Sequence, residues 1–312
     1  MVNKVVAAVF PGQGSQRPGM GRDFYDNIPV SRDTYQEASD TLGLDVSAMC
    51  FGEEERLDLT EYAQPSILTT EIAMLRGLHA LYDFSPLSFG GHSLGEYTAL
   101  VAAGALPLPE ALQIVQIRGR LMQEAVPVGA GGMAAVISDG IDVNILRDAI
   151  GDLPVDVANI NSADQVVISG LSSAMPEAES RLMAAKVDCA LRFTPLNVSA
   201  PFHSRFMKPI EETFKKALLS LGKGLAPGRA KRVTSNFTGK FYSGSPDEVV
   251  DGLVCQLSNT VKWRDNMYAL TSKTDIIYEI GPGRPLRSFF KTIGVACRSI
   301  TTFSAAGRVF EG

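Results

Sequence analysis

The pentapeptide Gly91-His92-Ser93-Leu94-Gly95 places a serine between two glycines, after a short strand-like run and before an Ala-rich helical run at 96–104. Glycines remove Cβ atoms where two chain segments crowd a sharp turn, and the turn then exposes the serine hydroxyl. The helix that follows aims free N–H groups at the same point. The pattern therefore predicts a nucleophilic serine at the carboxyl end of a strand, although a Gly-Ser-Gly turn can also be purely structural.

The rest of the chain alternates strand-like runs bounded by Gly and Pro with helix-like runs. Strands are predicted at 5–10, 88–90 and 275–280, and helices at 31–42, 65–82, 96–104 and 111–123. This alternation is typical of an α/β fold.

A glycine-rich break at 128–132 is followed by a second pattern with its own rhythm. The predicted elements are a strand at 133–137, a helix at 143–150, strands at 155–159 and 165–169, a helix at 174–186 and a strand at 190–196. The order β-α-β-β-α-β is that of a ferredoxin-like unit. We therefore predict a small subdomain at 131–197, inserted into a larger α/β part formed by residues 1–130 and 198–312.

Composition and charge exclude several function classes. The 312 residues carry 29 Lys and Arg against 34 Asp and Glu, which gives a net charge of −5. The charges are spread along the chain without a basic stripe, which argues against binding to nucleic acid or to a membrane surface. The apolar run at 5–10 is shorter than a signal-peptide core, and no run of about 18 apolar residues predicts a membrane span. We expect a soluble, cytoplasmic, monomeric protein.

The four cysteines stand at 50, 189, 255 and 297, without a C-x-x-C pair or a neighbouring histidine cluster. This spacing argues against a zinc site and against a disulfide framework. Reduced thiols are the expected state.

A serine hydroxyl becomes a nucleophile at neutral pH only when a nearby base takes its proton. The chain has three histidines. His79 lies in the predicted helix 65–82, where a structural role is expected, and His92, next to the serine, is predicted to form a wall of the site. His203, just beyond the inserted segment, is the predicted general base.

No acidic residue stands out as the partner that would orient His203. Four aspartates lie between Ser93 and His203 in the predicted small subdomain, where loop or surface roles are expected: Asp152, Asp156, Asp164 and Asp188. The alternative is a Ser-His dyad whose imidazole is oriented by a backbone carbonyl.

The glycine-rich stretch at 10–16 follows the first strand. It is not a dinucleotide fingerprint, which would need Gly or Ala where Arg17 stands, and it lacks the Gly-Lys-Ser/Thr ending of a P-loop. A loop at the carboxyl end of a strand is, however, where open α/β sheets bind ligands. A backbone N–H of this loop and that of Leu94 could form an oxyanion hole.

Together these motifs resemble the malonyl-CoA:acyl carrier protein transacylase family, which includes the acyltransferase domains of fatty-acid and polyketide synthases. The resemblance covers nearly the whole chain. It is carried by segments 10–16, 90–97, 118–119, 159–170, 200–204, 256, 261–263 and 279–282. It implies an α/β-hydrolase-like large subdomain with an inserted ferredoxin-like subdomain.

The resemblance also implies roles for five residues. Ser93 would be the nucleophile, and His203 the general base and later the general acid. The backbone N–H groups of Gln13 and Leu94 would form the oxyanion hole. The backbone carbonyl of Gln256 would orient His203, which favours the dyad over an acidic partner.

The family pattern further implies which acyl group is bound. Arg118 would pair with the free carboxylate of malonate, and such a charge-assisted bond is worth about 1.5–3 kcal/mol. Leu94 and Phe202 are of the types that accompany malonyl rather than methylmalonyl units in relatives. One methyl group is worth only about 1–3 kcal/mol, so this pocket predicts a preference.

The activity implied is transfer of malonyl from coenzyme A to the phosphopantetheine thiol of acyl carrier protein, by a ping-pong mechanism through an ester on Ser93. Coenzyme A thioester enters as substrate, and no metal or redox cofactor is expected. A discrete acyltransferase that loads a polyketide synthase carrier is the main alternative. An acyl hydrolase is disfavoured by Arg118, and a non-catalytic carrier-binding protein is disfavoured by Ser93 and His203.

Overall fold

Two separate four-stranded sheets organise the computed structural model, which describes residues 4–52, 55–185, 191–198 and 200–312. The strands are β1 (Val6–Phe10), β2 (Ser88–Gly91), β3 (Gly131–Ile137), β4 (Val155–Ile160), β5 (Gln165–Leu171), β6 (Arg192–Leu196), β7 (Ile276–Ile280) and β8 (Cys297–Ile300). The mixed α/β class predicted from the sequence is confirmed.

Fourteen α-helices accompany these strands in the described ranges. They are α1 (Arg22–Asn27), α2 (Pro29–Leu42), α3 (Val46–Phe51), α4 (Thr60–Tyr82), α5 (Gly95–Ala102), α6 (Leu108–Glu124), α7 (Val143–Ile150), α8 (Met175–Ala185), α9 (Glu211–Leu221), α10 (Pro227–Ala230), α11 (Pro246–Ser258), α12 (Trp263–Thr271), α13 (Pro285–Thr292) and α14 (Phe303–Phe310). Short 3₁₀ segments lie at Glu55–Asp58, Ser172–Ala174 and Arg205–Ile210. Within the described residues, every helix is too short or too polar to span a bilayer.

The first sheet is parallel, in the order β2-β1-β7-β8. Residues 7–10 of the central strand β1 are fully buried, as expected for a parallel strand covered on both faces. Phe10 pairs with Gly91, so β1 and β2 end side by side. The loop after β1 and the serine turn after β2 therefore leave the same edge of the sheet.

The second sheet is antiparallel, in the order β4-β5-β3-β6, with α7 and α8 packed against each other. Its core, which includes Val136, Leu146, Val166 and Leu182, is separate from that of the parallel sheet. The element order agrees with the predicted β-α-β-β-α-β pattern. Residues 186 and 190, at the predicted ends of a helix and a strand, lie outside the described residues, and the boundaries 1–130, 131–197 and 198–312 stay a prediction.

Backbone hydrogen bonds join strand β4 of the antiparallel sheet to Val261. The N–H of Ile160, at the end of β4, donates to Val261 O at 2.9 Å, and the N–H of Val261 donates to Ala158 O at 2.8 Å. This contact holds the antiparallel sheet against the segment between α11 and α12.

Helix α4 begins one turn before the predicted start at residue 65. Pro65 lies inside the helix instead of at its first position. Proline is tolerated in the first turn of a helix, because the N–H that it lacks would have no partner there. A helix start at Pro65 is therefore plausible from the sequence, but it is wrong. The additional turn contains Gln64, which faces the site described next.

Candidate active site

The turn after β2 forces Ser93 into an unusual backbone conformation. Its φ is +53°, in the left-handed region that non-glycine residues rarely adopt. A Cβ added to Gly91 would lie 1.9 Å from Gly95 O, and one added to Gly95 would lie 2.1 Å from Phe10 O. Both positions therefore require glycine, which is the reason for the spacing of the pentapeptide.

His203 and Ser93 are in direct contact. Ser93 Oγ lies 2.7 Å from His203 Nε2, and His203 Nδ1 lies 2.7 Å from the main-chain oxygen of Gln256. Because a carbonyl can only accept, Nδ1 carries the proton and the lone pair of Nε2 faces the serine. Of the two partners that the sequence left open for His203, the structure has the backbone carbonyl.

The aspartates considered as alternatives bond elsewhere. Asp152 pairs with Arg181, and Asp156 pairs with Arg205. Asp164 accepts from the N–H of Gly140. Asp188 lies outside the described residues.

The electrostatic environment keeps His203 neutral. Burial and the nearby Arg118 guanidinium lower the pKa of His203 to about 3. The imidazole is thus uncharged at physiological pH and able to accept a proton.

Arg118, on α6, lies beside the serine and is only 1% exposed. Its Nη2 donates to Ser93 Oγ at 3.1 Å and to Gln256 Oε1 at 2.8 Å, and its Nη1 donates to Gln64 Oε1 at 2.9 Å. All three partners are uncharged, and none of the ion pairs between described residues includes Arg118. The nearest carboxyl group with an electrostatic effect on Arg118 is that of Glu96, which reaches it only through the Gln256 amide. A buried cation without a direct ion pair, next to a nucleophile, can receive an anionic group.

The loop after β1 packs directly on the serine turn. A Cβ added to Gly12 would lie 2.5 Å from His92 O, and the Gln13 side chain donates to Thr60 Oγ1, on α4, at 3.1 Å. Among the hydrogen bonds between described residues, none is donated by the backbone N–H of Gln13 or of Leu94. Both N–H groups are therefore available to a ligand.

The remaining candidates occupy the surroundings of Ser93. His92 Nε2 lies 2.8 Å from Asn161 Oδ1, so this histidine connects the serine turn to the loop after β4. Phe202 and Leu94 are buried. His79, by contrast, lies near the end of α4 with its ring against Ser85 and takes no part in the site.

The structure also adds residues that the sequence analysis missed. Asn236 accepts from the Ser93 N–H at 2.6 Å, and Glu96 accepts from Gln256 Nε2 at 2.5 Å. Gln64 holds Arg118 from the opposite side. Glu96 stood within the recognised segment 90–97, which was a usable signal, but Asn236 and Gln64 belong to no motif and reach the site only through the fold.

Comparisons with known proteins agree with this arrangement. The family model for the acyl transferase domain matches residues 8–279. A malonyl CoA-acyl carrier protein transacylase from Bacillus subtilis strain 168 is 38% identical over 305 residues, covering 95% of this chain and 92% of that protein.

Solved structures extend the likeness to the fold. The MCAT structure from Streptococcus pneumoniae has a TM-score of 0.89 and 31% identity, covering 98% of this chain and 99% of that one. A malonyl-transacylase solved in complex with a type II PKS acyl-carrier protein has a TM-score of 0.88 and 34% identity, covering 98% and 99%.

Proposed function

Because the chain belongs to the malonyl CoA-acyl carrier protein transacylase family, we propose that it transfers malonyl from coenzyme A to the phosphopantetheine thiol of an acyl carrier protein through an ester on Ser93. One observation carries the proposal. Ser93 Oγ lies 2.7 Å from Nε2 of the neutral His203 imidazole and 3.1 Å from Nη2 of Arg118, a buried cation that forms no direct ion pair with any described residue. The first contact supports acyl transfer, and the second supports an acyl group with a free carboxylate.

In the first half of the cycle, His203 Nε2 takes the proton of Ser93 as Oγ attacks the thioester carbon. The backbone N–H groups of Gln13 and Leu94 stabilise the oxyanion, at about 2.7–4 kcal/mol for each such donor. The C–S bond then breaks, and the departing coenzyme A sulfur takes the proton from His203. The product is malonyl-Ser93.

In the second half, the carrier thiol gives its proton to His203 Nε2 and attacks the ester carbon. A C–S bond forms, the C–Oγ bond breaks, and Ser93 recovers the proton. Coenzyme A thioester enters as a substrate in the first half only, and the proposed cycle needs no metal or redox cofactor. The Gln256 carbonyl, which accepts from Nδ1, stabilises the transient imidazolium.

Arg118 would select the acyl group by pairing with the malonyl carboxylate. A planar guanidinium can hold a carboxylate through two parallel hydrogen bonds, a geometry that acetyl cannot use. His92, Leu94 and Phe202 would complete the wall around the acyl group. The bulk of Phe202 would disfavour an α-methyl substituent.

A polyketide-synthase carrier is the second candidate acceptor. The observation that favours it is the 34% identity to a malonyl-transacylase solved with a type II PKS acyl-carrier protein. The chemistry is the same, and only the docking partner differs.

We also propose that the protein acts as a cytoplasmic monomer. Light scattering after size-exclusion chromatography is the direct test of its oligomeric state.

The central experiment records the intact mass of the protein after mixing with malonyl-CoA, and again after a holo carrier protein is added. We expect one malonyl group on Ser93, absent in Ser93→Ala, and its removal by the carrier. Parallel reactions with fatty-acid and polyketide carriers distinguish the two acceptors. If Ser93 takes up no malonyl group the proposal is wrong, and loss of the ester to water as fast as to either carrier identifies a hydrolase.

A further inference from the structure

The side chain of Gln256 makes contacts that its main-chain carbonyl, the partner of His203, does not explain. Its Nε2 donates to Ser93 O at 3.0 Å and to Glu96 Oε2 at 2.5 Å, while its Oε1 accepts from Arg118 Nη2 at 2.8 Å. The residue is 1% exposed. One residue thus contacts the nucleophile, the cation and the general base.

Asn236 holds the serine turn from both sides. Its Oδ1 accepts from the Ser93 N–H at 2.6 Å, and its Nδ2 donates to Gly91 O at 2.8 Å. Together with Gln256, it binds the backbone polar groups before and after the left-handed residue. Strained conformations of this kind persist only when the surrounding structure over-determines them.

Glu96 anchors both amides. Its carboxylate accepts from the Asn236 N–H at 3.1 Å, from Gln256 Nε2 and from the Tyr242 hydroxyl. The Asn236 N–H can only donate, so Glu96 Oε2 is an acceptor, and it fixes the Gln256 amide with its nitrogen toward Glu96 and its oxygen toward Arg118. The reversed amide would place two donors against Arg118 and an acceptor against Glu96.

We propose that the side chains of Gln256 and Asn236, anchored on Glu96, are positioning residues: Asn236 fixes the Ser93 turn, and Gln256 fixes Arg118 relative to that turn. The second part rests on the proposed function, in which Arg118 receives the malonyl carboxylate. The two residues therefore differ in what their loss changes. Asn236 affects every acyl donor equally, whereas Gln256 also affects the preference for malonyl over acetyl.

The test uses Asn236→Leu and Gln256→Met, since neither substitution removes the main-chain carbonyl that serves His203. Two rates are measured: labelling of Ser93 by a fluorophosphonate, which needs no natural substrate, and loading from malonyl-CoA and acetyl-CoA. Asn236→Leu should lower labelling and both loading rates by about ten- to a hundredfold with an unchanged malonyl-to-acetyl ratio. Gln256→Met should also lower that ratio, by about tenfold.

Two control variants separate positioning from general stability. Gln36→Met makes the same replacement at an exposed position of α2. Leu182→Ala destabilises the separate core of the antiparallel sheet. As long as they are folded, both control variants should be labelled by the fluorophosphonate and loaded from the two acyl-CoA donors at the wild-type rates. Urea unfolding shows which variants are folded.

If Asn236→Leu or Gln256→Met does not fold, Asn236→Ser and Gln256→Asn withdraw the amide from the turn while keeping a polar group there, and the same directions are expected. Folded Asn236 variants in which Ser93 is labelled at the wild-type rate overturn the role of Asn236. An unchanged malonyl-to-acetyl ratio in folded Gln256 variants overturns the role of Gln256. A wild-type protein that takes up no malonyl contradicts the proposed function instead, and fluorophosphonate labelling still tests how the turn is held.

Discussion

At the scale of single residues, Arg118 has the environment with the clearest chemical consequence. The guanidinium is held by Gln64, Gln256 and Ser93, all through uncharged oxygens. Under the proposed function, the charge of Arg118 would discriminate between acyl groups, and it would do so more strongly than a difference of one methyl group in an apolar pocket.

Replacement of Arg118 by alanine should remove most of the preference for malonyl. A charge-assisted hydrogen bond of about 1.5–3 kcal/mol corresponds to a fall of about ten- to a hundredfold in the ratio of malonyl to acetyl loading. Intact-mass time courses with each donor measure this ratio. Arg120→Ala, an exposed position on the same helix, is the matched control. A ratio in Arg118→Ala equal to that of the wild type would contradict the assignment.

The His203 imidazole should stay neutral well below the pH at which an ordinary histidine gains a proton. Burial and Arg118 lower its pKa to about 3, from the ordinary 6.5. The stability that this residue contributes is fully present above the ordinary pKa and is lost as the pH falls through the window between the two values. NMR of isotope-labelled histidine, with His203→Asn for assignment, should show a neutral ring down to about pH 5. A ring that protonates near pH 6.5 would count against this environment.

Sequence reasoning identified Ser93 by its motif and His203 by elimination among three histidines. It left the partner of His203 open until the family resemblance entered, because a main-chain carbonyl carries no residue-type signal. Sequence reasoning could not find Asn236, for a related reason. Its side chain meets the serine turn from 143 positions away, and no local spacing encodes that contact.

At the scale of elements, the pairing of α4 with α6 positions the cation. Helix α4 supplies Gln64 and α6 supplies Arg118, and the next residue, Gly119, lies against α4. A Cβ added to Gly119 would lie 2.5 Å from Thr60 O. The helices can approach this closely only because residue 119 is glycine.

Gly119→Ala should therefore push α6 away from α4 and move Arg118 from its partners. We expect a loss of about 1–3 kcal/mol in the free energy of unfolding, as for other overpacked sites, together with a lower malonyl-to-acetyl loading ratio. Urea unfolding and intact-mass loading measure the two effects. Gly228→Ala on α10, where an added Cβ meets no atom within 4 Å, should leave the loading ratio unchanged and should not lower the free energy of unfolding. Wild-type behaviour of Gly119→Ala would show that the contact is not limiting.

Element existence was predictable where periodicity was strong, as in α7, whose predicted limits 143–150 match Val143–Ile150. The start of α4 was not, because Pro65 imitates a helix start while tertiary packing extends the helix before it. The backbone β-bridge between β4 and Val261 could not be predicted from the sequence either, since it joins two segments far apart in the chain.

At the scale of the whole molecule, the buried carboxyl of Glu71 couples folding to pH. Glu71 accepts from the Thr98 hydroxyl at 2.6 Å through Oε2, while its buried Oε1 has no hydrogen-bond partner among the described residues. Burial raises the pKa of Glu71 well above its ordinary 4.5, and the nearby Glu279 adds to this effect. The protonated form is thus the one that suits the fold.

Because the folded-state pKa lies above the unfolded one, the contribution of Glu71 to stability is present below pH 4.5 and is lost as the pH rises through the folded-state value. Glu71→Gln, which is always uncharged and can still accept from Thr98, should therefore lose less stability than the wild type between about pH 5 and about pH 9. Urea midpoints at both pH values measure this difference. Glu124→Gln, an exposed replacement on α6, should keep the wild-type difference. An equal loss in Glu71→Gln and wild type would exclude the coupling.

The contact between His203 and the Gln256 carbonyl also bears on mutational robustness. In a Ser-His-Asp triad, a single codon change can delete the group that orients the imidazole. Here that group is part of the main chain, 2.7 Å from Nδ1, and every amino acid at position 256 supplies it. Sequence variation at this position can therefore alter selectivity through the side chain while the tautomer of the general base is inherited unchanged.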